Sequence, residues 1–270
     1  MATVPLDATT VETYRRDGVV VLPGLVSPEA IAELARGVET NMASPGPWAN
    51  EYTPQGATGR FFDDYVNWQR IEDFARHATG GPIPQAAREL MGSSVARLFH
   101  EHVLVKEAET REVTPWHHDD PYYGIDGMDN VSIWIPLDPI PDSVALRFIP
   151  GSHRWNRRFI PRRFADQSAY VEAAHDFEHL PSPDELDRAA TVSTPVQVGD
   201  AVAFHYRTLH AAPGTAGSQV TRRRAVSFRY VGDDARFATR PWRTSPPLEG
   251  NGLRPGDPLE DPRFPVVARA

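Results

Sequence analysis

From residue 95 onward the chain breaks into short β-type runs separated by turn residues. The runs are ARLFHEHVLVK, VSIWIPLD, LRFIPGSH, PVQVGDAVAFHY and RRRAVSFRYVG. Short strands at this spacing predict an antiparallel sandwich or barrel. The chain has 270 residues and no Cys. Its length allows a core without staples. The missing Cys excludes disulfide scaffolds, thiolate metal sites, iron–sulfur clusters and thiol nucleophiles. No window approaches the roughly 18–20 apolar residues of a membrane span. The start, MATVPLDATTVETYRRDG, has no apolar signal core, so a cytoplasmic location is the expectation. A net charge of −8 argues against a nucleic-acid surface.

Residues 1–94 read as mainly helical. Thr9 or Thr10 can cap VETYRRDG and Gly18 ends it, and VVVLPGL is a short strand. Ser27-Pro28-Glu29 opens a second helix, which puts Ile31, Leu34, Ala35 and Val38 on one face. Residues 43–64 are turn-rich with embedded aromatics and read as a long lid or binding loop. A helical pattern resumes around 67–92. Residues 95–235 form the β core, interrupted at 154–190 by an insertion rich in Arg, Pro and acids. Residues 236–270 read as an irregular tail. Nothing demands a second domain, so one domain over 1–270 is expected.

The chemically dense segment is TPWHHDDPYYGIDG, residues 114–127. On a strand, residues i and i+2 share a face, so His117 with Asp119, or His118 with Asp120, could present an imidazole beside a carboxylate. Either pair supplies two ligands of a 2-His-1-carboxylate facial triad. A third can come from His205 or His210 in FHYRTLHAAPG. In RRRAVSFRYVG, strand alternation puts Arg223, Ala225, Ser227 and Arg229 on one face and Val226, Phe228 and Tyr230 on the other. A guanidinium turned into a small barrel needs an anion, and a dicarboxylate would supply one.

Together, TPWHHD, VSIWIPLDP, LRFIPGSHRW, the LH before a short turn, and RRAVSFRY resemble the phytanoyl-CoA dioxygenase family of Fe(II)/2-oxoglutarate oxygenases. The likeness runs from DGVVVLPGLVSPEAI to FRYVGDD. It implies a mainly β fold with flanking helices: a double-stranded β-helix (jelly-roll, cupin-like) core with N-terminal helices packed against it. It also implies that His117, Asp119 and His210 hold Fe(II), with His118 turned to the opposite face. Arg223 becomes the holder of 2-oxoglutarate, with Arg222 and Arg224 as alternative registers. Trp134, Lys106 and His102 fall on the co-substrate side; Lys106 is the lone lysine among 28 basic residues. Tyr122, Tyr123 and Phe61 are expected to meet substrate.

By the same resemblance, 2-oxoglutarate and O₂ are consumed, succinate and CO₂ are released, and a small-molecule metabolite or natural-product intermediate is hydroxylated. Halogenating relatives replace the carboxylate with a small residue, so Asp119 argues for hydroxylation. Desaturation, cyclisation and epimerisation use the same site. Two other classes stay open: a non-catalytic cupin-like metal-binding protein, and zinc-dependent hydrolysis on the same ligands. The second leaves an inward Arg unexplained.

Overall fold

The computed structural model describes residues 5–187, 189–248 and 252–270. Helix α1 (Ala8–Asp17) opens the chain and β1 (Val19–Leu22) follows it. Asp7, not a threonine, is the cap: its carboxylate accepts from the backbone N–H of Thr10 at 2.9 Å and from the Thr10 hydroxyl at 2.7 Å. A carboxylate reaches the free N–H groups of the first turn better than a hydroxyl placed inside it. Gly18 ends the helix in the left-handed region at φ 72°. A Cβ there would stand 2.3 Å from both His153 Nδ1 and Thr208 Oγ1. Gly18→Ala is therefore expected to combine backbone strain with overpacking and to cost about 2–4 kcal/mol. A urea midpoint unchanged from wild type would contradict this.

Ser27 caps α2 (Pro28–Ala43) by accepting from Ala30 N at 3.3 Å, with Pro at the first turn. The segment read as a loop over 43–64 instead contains β2 (Asn50–Glu51) and β3 (Phe61–Tyr65). Asp63 and Asp64 mask the strand signal in FFDDY, yet both are buried and hydrogen-bonded, Asp64 by Asn41 Nδ2 at 2.7 Å and Gly46 N at 2.6 Å. Helices α3 (Glu72–Thr79) and α4 (Pro82–Met91) complete the N-terminal part.

The core strands are β4 (Val95–Glu107), β5 (Thr114–His117), β6 (Ile125–Asp126), β7 (Asn130–Pro136) and β8 (Leu146–Phe148). After the insertion, which carries α5 (Pro183–Asp187), come β9 (Val192–Thr194), β10 (Ala201–Phe204), β11 (His210–Ala212) and β12 (Arg222–Val231). The tail is not wholly irregular. It adds β13 (Arg236–Phe237), which pairs β6, and β14 (Val266–Arg269), which pairs the start of β4.

The larger sheet runs β1-β10-β7-β12-β4-β3-β2, and the smaller one β5-β11-β8-β9. Pairings within both are antiparallel. Alternation gives the larger sheet two different faces. Val131, Ile133, Ile135, Ala203, Val226, Phe228 and Tyr230 join the helices' Leu34, Val38, Phe74 and Leu90 in one apolar cluster. Trp134, Val202, Phe204 and Ala225 turn the other way and pack with Leu146 and Phe148 of the smaller sheet. Burying one face under helices leaves the other free to line a chamber between the sheets. This is the expected double-stranded β-helix with helices on its outer face. Among the described residues, no helix is long and apolar enough to cross a membrane.

Candidate active site

His117 ends β5 and His210 begins β11, and the two are direct cross-strand partners. Their ring centroids lie 4.2 Å apart. Asp119 is not on the strand. It sits in an αR turn two residues past the end of β5, and Tyr122 N donates to its carbonyl at 3.0 Å. The turn, not strand alternation, brings its carboxylate back to the histidines. Asp119 Oδ1 lies 3.6 Å from His117 Nε2 and 3.9 Å from His210 Nε2. The three ligand atoms all fall within 4.8 Å of one another, and all three residues are buried. His205, the other histidine of FHYRTLH, is not part of this group. It lies just past the end of β10 and faces Met128 and Arg207 instead.

The outer contacts fix these side chains for a metal. His117 Nδ1 lies 2.8 Å from Pro115 O, and His210 Nδ1 lies 2.9 Å from Thr208 O. Each Nδ1–H donates to a carbonyl, so each Nε2 is left as a lone-pair donor turned toward Asp119. The Ser132 hydroxyl donates to Asp119 Oδ2 at 3.1 Å, and Arg229 lies 3.6 Å from the same oxygen. Burial works against a charged Asp119, but Arg229 and the two histidines hold its carboxyl well below the usual range. Burial pushes His210 down to about 3. Two imidazole nitrogens with an ionised carboxylate are the donor set that suits an Fe(II) facial triad. Asp120 and His118 point away from it. Asp120 is clasped by Arg158 and Arg207, at 2.8 and 2.9 Å. His118 Nε2 accepts from Phe159 N at 3.0 Å.

The triad opens onto a cavity of about 370 Å³, in the range of small-molecule sites. Trp134, His102, Tyr122, Tyr123 and Arg223 line it, whereas Phe61 and Lys106 are not among its lining residues. Phe61 is packed against Tyr52 at a ring distance of 4.8 Å, with Lys106 Nζ 4.3 Å from its ring centre. Lys106 Nζ donates to Pro213 O at 3.2 Å. Burial, with the nearby Arg223, pulls the Lys106 ammonium well below its ordinary pKa.

The Arg222–Arg224 run is divided by strand alternation. Arg222 pairs with Glu39, and Arg224 pairs with Asp138 at 2.7 Å and Glu39 at 3.0 Å, on the outer face. Arg223 alone turns inward. It is buried, and its Nη1 donates to Val144 O at 2.7 Å; no carboxylate pairs with it among the described residues. Burial lowers its pKa to about 10. Ser227 Oγ, two positions further along the same face than Ala225, is buried without a hydrogen-bond partner. A buried guanidinium lacking an anion and an orphaned hydroxyl on one cavity wall fit a bound keto acid.

Sequence reasoning missed much of the rest of the wall. Asn50, Tyr52, Asp63 and Tyr65 come from β2, β3 and the loop between them. Arg162, Arg163, Phe164 and Tyr170 come from the insertion, and Ser245 from the tail. Phe164 reaches over the metal site, with its ring centre 4.9 Å from that of His117. The existence of the insertion was readable; which of its residues enter the cavity was not.

Two buried histidines outside the triad make stability depend on pH. His205 Nδ1 accepts from Arg207 N at 3.0 Å, so its Nε2–H donates to Met128 O at 3.0 Å. Burial lowers His205 to about 3 and His118 to about 4. Both stay neutral in the fold, while the unfolded chain takes up protons below about pH 6.5. Stability is thus complete above that pH and falls as pH drops toward 4, by up to about 1.4 kcal/mol per unit for each histidine. His205→Gln is expected to flatten the pH dependence of the urea midpoint in this window. An unchanged slope would refute the assignment.

The sequence pattern of the phytanoyl-CoA dioxygenase (PhyH) family matches residues 14–225. The ectoine dioxygenase of Streptomyces coelicolor is 24% identical over 156 residues, which is 56% of this chain and 52% of the relative. The chain therefore spans about half the length of that curated relative. Among solved structures, the epimerase SnoN from nogalamycin biosynthesis, in complex with Fe3+, alpha ketoglutarate and nogalamycin RO, aligns with a TM-score of 0.76 at 24% identity. That alignment covers 96% of this chain and 98% of SnoN. The carbocyclase SnoK aligns at 0.74 and 24% identity, covering 99% and 100% of the two chains. EctD from S. alaskensis aligns at 0.66 and 20% identity, covering 85% and 78%. These likenesses establish the shared fold. With the family pattern covering most of its length, this chain belongs to the phytanoyl-CoA dioxygenase family.

Proposed function

We propose that the protein is an Fe(II)/2-oxoglutarate-dependent oxygenase acting in the cytoplasm on a small-molecule, natural-product-type substrate, most simply as a hydroxylase working as one domain. The observation that carries this reading is the coexistence, in one cavity, of the His117–Asp119–His210 donor set and the buried, carboxylate-free Arg223. A metal-binding protein without catalysis, or a zinc hydrolase, has no use for the second feature. That SnoN is an epimerase and SnoK a carbocyclase keeps stereochemical and ring-forming outcomes within the same reading.

Iron(II), when bound with the keto acid and O₂, supplies the oxidation of an unactivated C–H bond coupled to loss of CO₂. The chain's own residues prepare and confine it. His117 and His210 offer Nε2, each ring locked by its Nδ1–H bond to a carbonyl. Asp119 offers Oδ1, while Ser132 and Arg229 hold Oδ2. Arg223 would hold the far carboxylate of the keto acid. Trp134 and Phe204 form an apolar wall beside it, and Phe164 and Tyr122 exclude water above His117.

The test is anaerobic addition of iron(II) and then 2-oxoglutarate, followed by the visible charge-transfer absorbance of the chelate. A band that needs both additions, with succinate released on exposure to air, is the expected result. Turnover with zinc and no keto acid would overturn the reading.

A further inference from the structure

A second titratable pair faces the same cavity. His102 on β4 sets its Nε2 2.9 Å from Asp63 Oδ2 on neighbouring β3. Asp63 also accepts from Asn50 Nδ2 at 2.8 Å and from the Tyr52 hydroxyl at 3.1 Å. A carboxylate only accepts, so His102 Nε2–H donates to Asp63, and in the neutral imidazole Nδ1 is then the lone-pair atom. Nδ1 meets no protein partner among the described residues and is not sealed inside the protein; His102 lines the cavity. The arrangement presents a fixed acceptor to whatever fills that space.

This wall shares its roof with the metal site. Phe164 lies 4.9 Å from the His117 ring and 6.0 Å from the Tyr52 ring. Tyr65 meets His102 edge-on at 5.6 Å, and Tyr170 meets Tyr122 edge-on at 5.8 Å. Aromatic faces on several sides suit a flat or cyclic ligand. Charge decides which donor the ligand brings. Arg162, Arg163, Arg223 and Arg229 line the cavity, against the carboxylates Asp63 and Asp119, both already engaged. That field disfavours an ammonium group and leaves a neutral hydroxyl.

We propose that His102, oriented by Asp63, accepts a hydrogen bond from a hydroxyl group on a ring-containing substrate held among Tyr52, Tyr65, Phe164 and Tyr170. The proposal rests on the oxygenase reading of this cavity and deepens it. His102 is the substrate-binding residue and Asp63 a positioning residue.

The probes are 2-naphthol and its methyl ether, 2-methoxynaphthalene. Each is measured by anaerobic equilibrium dialysis against the protein loaded with iron(II) and 2-oxoglutarate. Wild type is expected to bind the naphthol at least about tenfold more tightly than the ether, because an acceptor left unpaired in a closed site penalises the ether. In His102→Phe and in Asp63→Leu the ratio should fall to within about threefold, while the charge-transfer band persists. A merely structural role for Asp63 would weaken both probes and leave their ratio alone. Equal binding of both probes by wild type, binding of neither, or a preference that survives both substitutions overturns the proposal. Loss of the band in wild type instead strikes the oxygenase reading. The probe ratio is read in the same samples either way, so the two failures are distinguishable.

Discussion

Asp119→Ala is expected to abolish iron-dependent turnover and to destabilise the apoprotein at the same time. The substitution deletes a ligand atom, and loss of even an outer partner of a ligand typically costs about 10–100-fold in affinity or activity. Loss of the ligand itself should exceed that. It also strands Arg229, a buried guanidinium 3.6 Å from Asp119 Oδ2. Burial opposes charge on Arg229, but Tyr123 and Asp119 together hold its pKa above the usual value. Breaking such a pair from one side costs about 3–5 kcal/mol. His210→Ala separates the two effects. It removes a ligand but leaves the Asp119–Arg229 pair intact, so metal binding should fail with a smaller loss in the urea midpoint than in Asp119→Ala. Ser132→Ala, which removes the 3.1 Å bond to Asp119 Oδ2, should weaken iron binding by only about 10–100-fold. Metal titration and urea unfolding of the three variants decide the matter. Full activity in Asp119→Ala would show that the ligand set is wrong.

Arg223→Leu is expected to raise the KM for 2-oxoglutarate by about 30-fold to several thousand-fold, from the roughly 2–5 kcal/mol that truncating one side of a buried charged pair costs. The same substitution should leave the apoprotein as stable as wild type or more so. In the empty fold the guanidinium has carbonyl acceptors but no anion, and burial alone drives its pKa down to about 10. Replacing a desolvated charge by an apolar side chain is neutral or stabilising. Arg224→Leu is the control. It loses the surface pairs with Asp138 and Glu39 and should leave the KM unchanged. A raised KM in Arg224→Leu with none in Arg223→Leu would reverse the assignment of the two arginines.

The elements that the sequence announced are those whose residues carry a local signal. VSIWIPLD alternates, so Val131, Ile133 and Ile135 go to the helices and Trp134 to the chamber. RRRAVSFRY alternates too, which by itself sends Arg223 and Arg229 to one face and Phe228 and Tyr230 to the other. Where local signal was weak or misleading, the reading failed. FFDDY looked like part of a loop because two aspartates interrupt it, yet their burial is supported by partners from distant segments. The final strand at 266–269 was lost in a Pro-rich tail because a short edge strand needs only a neighbour to pair with, here the start of β4.

The sequence alone determined the antiparallel β class, the alternation that puts Arg223 and Arg229 on one face, and the presence of a His-x-Asp beside a distant histidine; the structure decided which arginine of the 222–224 run turns inward. Spacing and alternation are properties of consecutive residues, and they survive without a partner. Only the tertiary structure decided which histidine completes the site. His117 and His210 stand 93 residues apart and meet because β5 and β11 pair in that register. It alone put Phe164 over His117 and set Asp63 against His102. Such contacts are fixed by how two sheets close and where an insertion folds back, and chain-local chemistry carries no record of either.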